Sequence, residues 1–155
     1  IQLNLLGVIM NIADELSIPG NLEQVYSNLI DPEILKRCIP GCEELEKISE
    51  TEYTAKVVLK IGPVKAKFSG NVTLDTKAAP TNLSLEGAGD GGLAGFAKGG
   101  ADVELIDHGD KTILRYNAKA ETGGKIAQLG ARLIESTAKK LAKKFFSNFE
   151  EIMLA

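Results

Sequence analysis

The chain has 155 residues, of which 44% are hydrophobic and 25% charged, with a formal charge of -3. That balance is ordinary for a globular protein and argues against nucleic acid as the main partner, because phosphate binding requires a net basic surface or a clear basic face. No apolar run reaches the ~20 residues needed to cross a bilayer, and Cys38 and Cys42 alone are too few for a disulfide scaffold.

Residues 1–9 precede the first methionine, Met10, and lack the basic segment that opens a secretory signal. An extra strand or sequence from upstream of the start would both account for them. The second is preferred, so residues 1–9 are set aside as an N-terminal extension and residues 10–155 are expected to form a single domain.

The first strand is predicted at residues 10–18. Asn21 can cap a short helix over residues 22–30. Asp31, Pro32 and Glu33 provide the cap, first-turn proline and acidic start of a second helix ending near Arg37. Ile39, Pro40 and Gly41 break it. Strands follow at residues 43–49, 52–61, 64–76, 81–87, 96–106 and 112–121, separated by turn residues. One uninterrupted amphipathic helix is then predicted from about Lys125 to Glu151. Its apolar stripe holds Ile126, Leu129, Leu133, Ile134, Leu141, Phe145, Phe149 and Ile152.

Alternation along the strands separates a dry face from a wet one. Tyr53, Ala55, Val57, Leu59 and Ile61 oppose Lys56 and Lys60. Val64, Ala66, Phe68, Val72 and Leu74 oppose Lys65, Lys67, Asn71 and Asp75. Phe96 differs in parity from Ala101, Val103 and Leu105. For all four to face inward, a bulge is expected at Gly99 and Gly100, bending the sheet and opening space beneath the helix.

Several motifs have familiar spacings without the chemistry. Residues 87–92 match G-x-G-x-x-G, but further glycines follow instead of the helix whose amides would hold a pyrophosphate. A wide hairpin is expected there. Cys38 and Cys42 lack the further ligands a zinc site needs, and the lone histidine, His108, falls in a predicted turn. With no second histidine there is no triad. The carboxylates of Glu43, Glu44, Glu46, Glu50 and Glu52 fall on exposed positions, and the alternation supplies no inward acid–base pair. The polar side of the last helix carries Lys125, Arg132, Lys139, Lys140, Lys143 and Lys144, with Phe146 among them. It reads as a solvated face or a docking strip.

Five segments in order are similar to the carbon monoxide dehydrogenase CoxG family: residues 31–35 (DPEIL), 38–43 (CIPGCE), 62–70 (GPVKAKFSG), 95–99 (GFAKG) and 123–134 (GGKIAQLGARLI). The closing Phe145 and Phe146 fit as well, and the resemblance spans residues 10–152. Where relatives often have Trp in the first helix, this chain has Tyr26. The resemblance implies the α+β helix-grip fold of the START-like, or Bet v 1-like, superfamily: a curved antiparallel sheet of about seven strands wrapped on a long C-terminal helix. It also implies a cytoplasmic accessory protein, recruited to the inner membrane face, that binds an apolar ligand such as a quinone or lipid beside a molybdenum hydroxylase-type dehydrogenase.

The expected reading is therefore a non-enzymatic carrier, with no catalytic residue, metal or covalent cofactor. The cavity lining is expected from Phe68, Phe96, Tyr116, Leu129, Leu133 and Phe145. Ile39, Pro40 and Gly41 are expected at its mouth, and Arg132, Lys139 and Lys143 at a partner-docking face. The alternative is an adaptor or membrane-recruitment factor that uses the basic helix face.

Overall fold

The computed structural model describes residues 2–4 and 7–155. In chain order it comprises β1 (Gln2–Asn4), β2 (Gly7–Pro19), α1 (Leu22–Leu29), α2 (Pro32–Cys38), β3 (Cys42–Lys47), β4 (Glu52–Ile61), β5 (Val64–Asp75), β6 (Asn82–Asp90), β7 (Phe96–His108), β8 (Lys111–Gly123) and α3 (Ala131–Leu154). All eight strands form one antiparallel sheet in the order β1-β2-β8-β7-β6-β5-β4-β3. Seven of them match the expected strands. The eighth is β1, which pairs with β2 from Gln2↔Ile9 to Asn4↔Gly7. A strand therefore exists within residues 1–9, and the first long strand starts at Gly7 rather than Met10. Ile1, Leu5 and Leu6 lie outside the described residues.

Local chemistry explains the short helices. The Asn21 side chain accepts from the Gln24 amide at 2.9 Å, and the Gln24 side chain accepts from the Asn21 amide at 3.3 Å, a reciprocal capping box. Asp31 accepts from the amides of Glu33 and Ile34 at 2.9 and 3.4 Å, with Pro32 in the first turn.

The last helix is shorter than expected. Residues 126–129 form a 3-10 turn, and α3 begins only after Gly130. Gly130 has φ 99°, outside the helical region, so the helix cannot run through it.

The sheet bends without the expected bulge. Pairing of β7 with β8 runs without a shift from Phe96↔Gly123 to His108↔Lys111. The glycines instead mark close approach of neighbouring strands. A Cβ on Gly99 would collide with the Lys119 carbonyl oxygen, and one on Gly70 with that of Ala88. Only glycine lets these strands come so near. Since parity is never reset, Phe96 stays on the outward face.

Packing divides into three clusters. The largest joins α1, α2 and the C-terminal half of α3 through Val25, Tyr26, Leu29, Cys38, Tyr53, Leu114 and Phe149. Two smaller ones lie around the start of α3 and the preceding turn. One is built on Ile61, Phe68 and Ile126, the other on Val8, Met10 and Ile134.

Candidate functional site

Between these clusters, the inward face of the central strands is paved with small residues. Register places Gly70 of β5, Gly87 of β6, Gly99 and Ala101 of β7, and Ala118 and Ala120 of β8 on that face. The backbone of α3 runs close to β2 and α2 and approaches β4, while β6 and β7 stand away from it. Val57, Ala101 and Ala118 on the sheet, and Leu141 and Ala142 on the helix, are only half-buried and belong to none of the three clusters. The helix spans the curved sheet and touches it chiefly at its margins.

The expected lining residues divide around this region. Phe68 is buried with Leu129 and Leu133 packed beside it at the N-terminal end of α3. Leu129 belongs to the 3-10 turn and not to the helix. Leu133 is fitted against Gly62, where a Cβ would lie 2.8 Å from its Cδ2. Tyr116 and Phe145 lie at the other end, half-buried against the large cluster. Phe96 is a correction: it is outward and 39% exposed, beside the β6–β7 hairpin tip where Leu93 is 98% exposed.

Ile39, Pro40 and Gly41 form the turn after α2. The Gly41 carbonyl accepts from the Val58 amide at 2.9 Å, and the Asn148 side chain donates to the Cys38 carbonyl at 3.1 Å. These bonds tie the turn to β4 and to the second half of α3. Ile39 and Pro40 are half-buried there, and Gly41 is exposed.

Three features of this face were not read from the sequence. Phe146, placed there on the polar side of the helix, is half-buried and stacks on Tyr116 at 5.3 Å. Asp14, cross-strand partner of Tyr116, puts a carboxylate on the inward face of β2, where no acid–base group was expected. Its even parity with Ile12 and Leu16 was the available signal. Tyr26 Oη and Thr122 Oγ1 are buried and have no hydrogen-bond partner among the described residues. Burial, and next the nearby Asp75, raises the Tyr26 phenol above its usual range.

Cys38 is fully buried and Cys42 half-buried, and burial raises both thiols. That disfavours the reactive thiolate. Among the described residues no group of three or more His, Cys, Asp or Glu side chains could hold a metal. His108 is exposed at the end of β7. Arg132, Lys139, Lys140, Lys143 and Lys144 are exposed along α3, with Lys139 paired to Glu135 at 3.0 Å. Two open depressions of about 760 and 720 Å³ lie on the outward face of the sheet, lined largely by polar residues such as Ser84, Asp102 and Asn117. Among the described residues no helix is long and apolar enough to cross a membrane.

Comparison with known proteins follows from this geometry. The sequence model of the carbon monoxide dehydrogenase CoxG family matches residues 15–153. A conserved protein of Geobacillus kaustophilus is similar in structure with a TM-score of 0.87 and 33% identity, covering 94% of this chain and 95% of that one. A START superfamily protein of Mycobacterium smegmatis gives 0.70 and 12% identity, covering 92% and 96%. Norcoclaurine synthase of Thalictrum flavum, in complex with dopamine and hydroxybenzaldehyde, gives 0.63 and 16% identity, covering 96% and 88%. The last two show a shared START-like fold. No curated protein sequence matches the chain.

Proposed function

The chain belongs to the carbon monoxide dehydrogenase CoxG family, and from that premise we propose that it is a non-enzymatic binding protein. It carries an apolar small molecule, a quinone or lipid, between the sheet and α3, as an accessory to a molybdenum-containing carbon monoxide dehydrogenase-like enzyme. One observation supports this most: the glycine and alanine floor faces a helix that meets the sheet chiefly at its margins. Apolar walls from Val57, Leu141 and Phe145 suit a ligand held by desolvation. At about 25 cal/mol per Å², burying ~300 Å² of ligand contributes roughly 7 kcal/mol before association costs.

Native mass spectrometry followed by solvent extraction tests the reading. A stoichiometric apolar adduct is expected, and Ala118→Phe, which projects a ring onto the floor, should abolish uptake while the far-ultraviolet spectrum stays native. Undiminished uptake in that variant removes the binding site from this space.

A second reading has its own support. The exposed cations of α3 and the exposed Leu93 and Phe96 favour peripheral recruitment to the cytoplasmic membrane face or docking on the partner enzyme. Reversing Lys140 and Lys143 to Glu should weaken sedimentation with anionic vesicles or capture of the dehydrogenase, and leave ligand uptake intact. No loss in either assay refutes a role for the helix face.

A further inference from the structure

From the position of Asp14 beside Tyr116 we infer that the apolar ligand presents a hydroxyl, and not a bare carbonyl or ether, at its polar end. The inference rests on the binding reading above and specifies its ligand class.

Pairing places Asp14 directly opposite Tyr116 on the inward face, with Asp14 exposed and Tyr116 half-buried. The neighbours of Asp14 on β2 are apolar: Ile12 packs toward the N-terminal end of α3 and Leu16 toward the large cluster. A carboxylate between two such residues lies where alternation calls for another apolar side chain.

Edge protection explains only half of it. Beyond the short β1 pairing, β2 is an edge, and a charged side chain there discourages a further strand. Asp14 Oδ1 also accepts from the Glu15 amide at 2.8 Å, satisfying a backbone donor. Among the described residues Oδ2 has no such partner, and neither does the Tyr116 hydroxyl. The Tyr116 ring is fixed by its stack on Phe146. Burial, and next the charge of Asp14, raises the Tyr116 phenol, which keeps it a neutral donor.

The pair therefore offers one acceptor and one donor at the margin of the small-residue floor. A ligand hydroxyl satisfies both, donating to Asp14 and accepting from Tyr116. A carbonyl or ether oxygen can only accept from Tyr116, and its lone pairs then face the carboxylate. Hydrogen bonds to ionised acceptors are the strong ones, and a site built to receive a hydroxyl rejects analogues that lack it. For a quinone-type ligand, this selects the reduced, hydroxylated state.

Two probes of similar shape separate the cases: 1-naphthol, which has the donor, and 1-methoxynaphthalene, which lacks it. The chain contains no Trp, so probe fluorescence can be followed without an indole background. Wild type is expected to bind naphthol at least about tenfold more tightly. Asp14→Ala should reduce that ratio to within about twofold, by weakening naphthol and by relieving the repulsion between the carboxylate and the ether oxygen of methoxynaphthalene. Tyr116→Phe, which keeps the ring, should weaken both probes and preserve the ratio. Equal affinities in wild type, or a preference that survives Asp14→Ala, overturn the hydroxyl inference and leave the binding reading in place. Failure of both probes to bind wild type counts against the two together.

Discussion

Phe146 of α3 stacks on Tyr116 of β8, ring centroids 5.3 Å apart and planes inclined by 27°, while Phe145 meets Phe146 edge-on at 5.1 Å. The two adjacent phenylalanines thus connect the helix to a central strand that its backbone does not closely approach. Removing the Phe146 ring, in Phe146→Ala, should cost about 2 kcal/mol, below the range for fully buried rings because this one is half-buried. Urea unfolding of Phe146→Ala and Tyr116→Phe gives the comparison. The second keeps the stack and should change stability little. A loss under about 0.5 kcal/mol for Phe146→Ala would mean the stack does not hold the helix.

Tyr26 and Tyr53 should respond oppositely to loss of their hydroxyls. The Tyr53 phenol donates to the Ile30 carbonyl at 2.5 Å, so Tyr53→Phe leaves that oxygen short of a partner and should cost about 1.5 kcal/mol. Tyr26 Oη is buried with no partner among the described residues. Tyr26→Phe removes an unmatched polar group and should be neutral or stabilising by up to about 1 kcal/mol. Chemical denaturation of both variants checks the pair, and a clear loss in Tyr26→Phe would reveal a partner for its hydroxyl.

Burial is the first cause raising all three tyrosines in the folded chain, Tyr26, Tyr53 and Tyr116. Each folded chain therefore holds its phenolic protons more tightly than the unfolded chain does. Their contribution to stability is complete below about pH 10 and is lost as pH rises from there through the raised folded values. Tyrosinate absorbance should lag behind free tyrosine and then appear together with loss of the native spectrum. Normal titration near pH 10 with the fold intact would contradict it.

Glycines separate by what a methyl group would meet. Gly99→Ala drives Cβ into the Lys119 carbonyl and should cost more than about 2 kcal/mol by forcing β7 away from β8. Gly109→Ala, at φ 76° with open space around it, carries only the local conformational penalty of about 1 kcal/mol. Thermal unfolding should rank them in that order, and equal losses would show that the close approach is not what requires glycine at position 99.

Element order was legible because each element carried its own periodicity and punctuation: Asn21 and Asp31 as caps, and the alternation of 53–61 and 64–74. That the paired glycines have a structural purpose was legible too, but the purpose was not. A bulge and a close approach leave the same glycines in the sequence, and only the neighbouring carbonyls of Lys119 and Ala88 distinguish them. The error carried forward, turning Phe96 inward. Gly130 was lost inside an apolar period that continues on both sides of it. Phe146 was misplaced because a strongly curved sheet covers a wider arc of α3 than a single stripe. Asp14 was marked inward by its parity with Ile12 and Leu16, but a lone carboxylate in an otherwise apolar row gives no sign of what it serves.

The small-residue floor also limits how this architecture can change. At Gly70, Gly87 and Gly99 the surface facing α3 is main chain, with no side chain left to shorten. At these three positions mutation can therefore fill the space above the sheet and never deepen it. Over these glycines greater depth can come only from the helix, by trimming Leu141 or Phe145 or by lifting α3 from its margins. There the depth of the interior is thus set by α3, and the main chain of the sheet supplies a fixed floor.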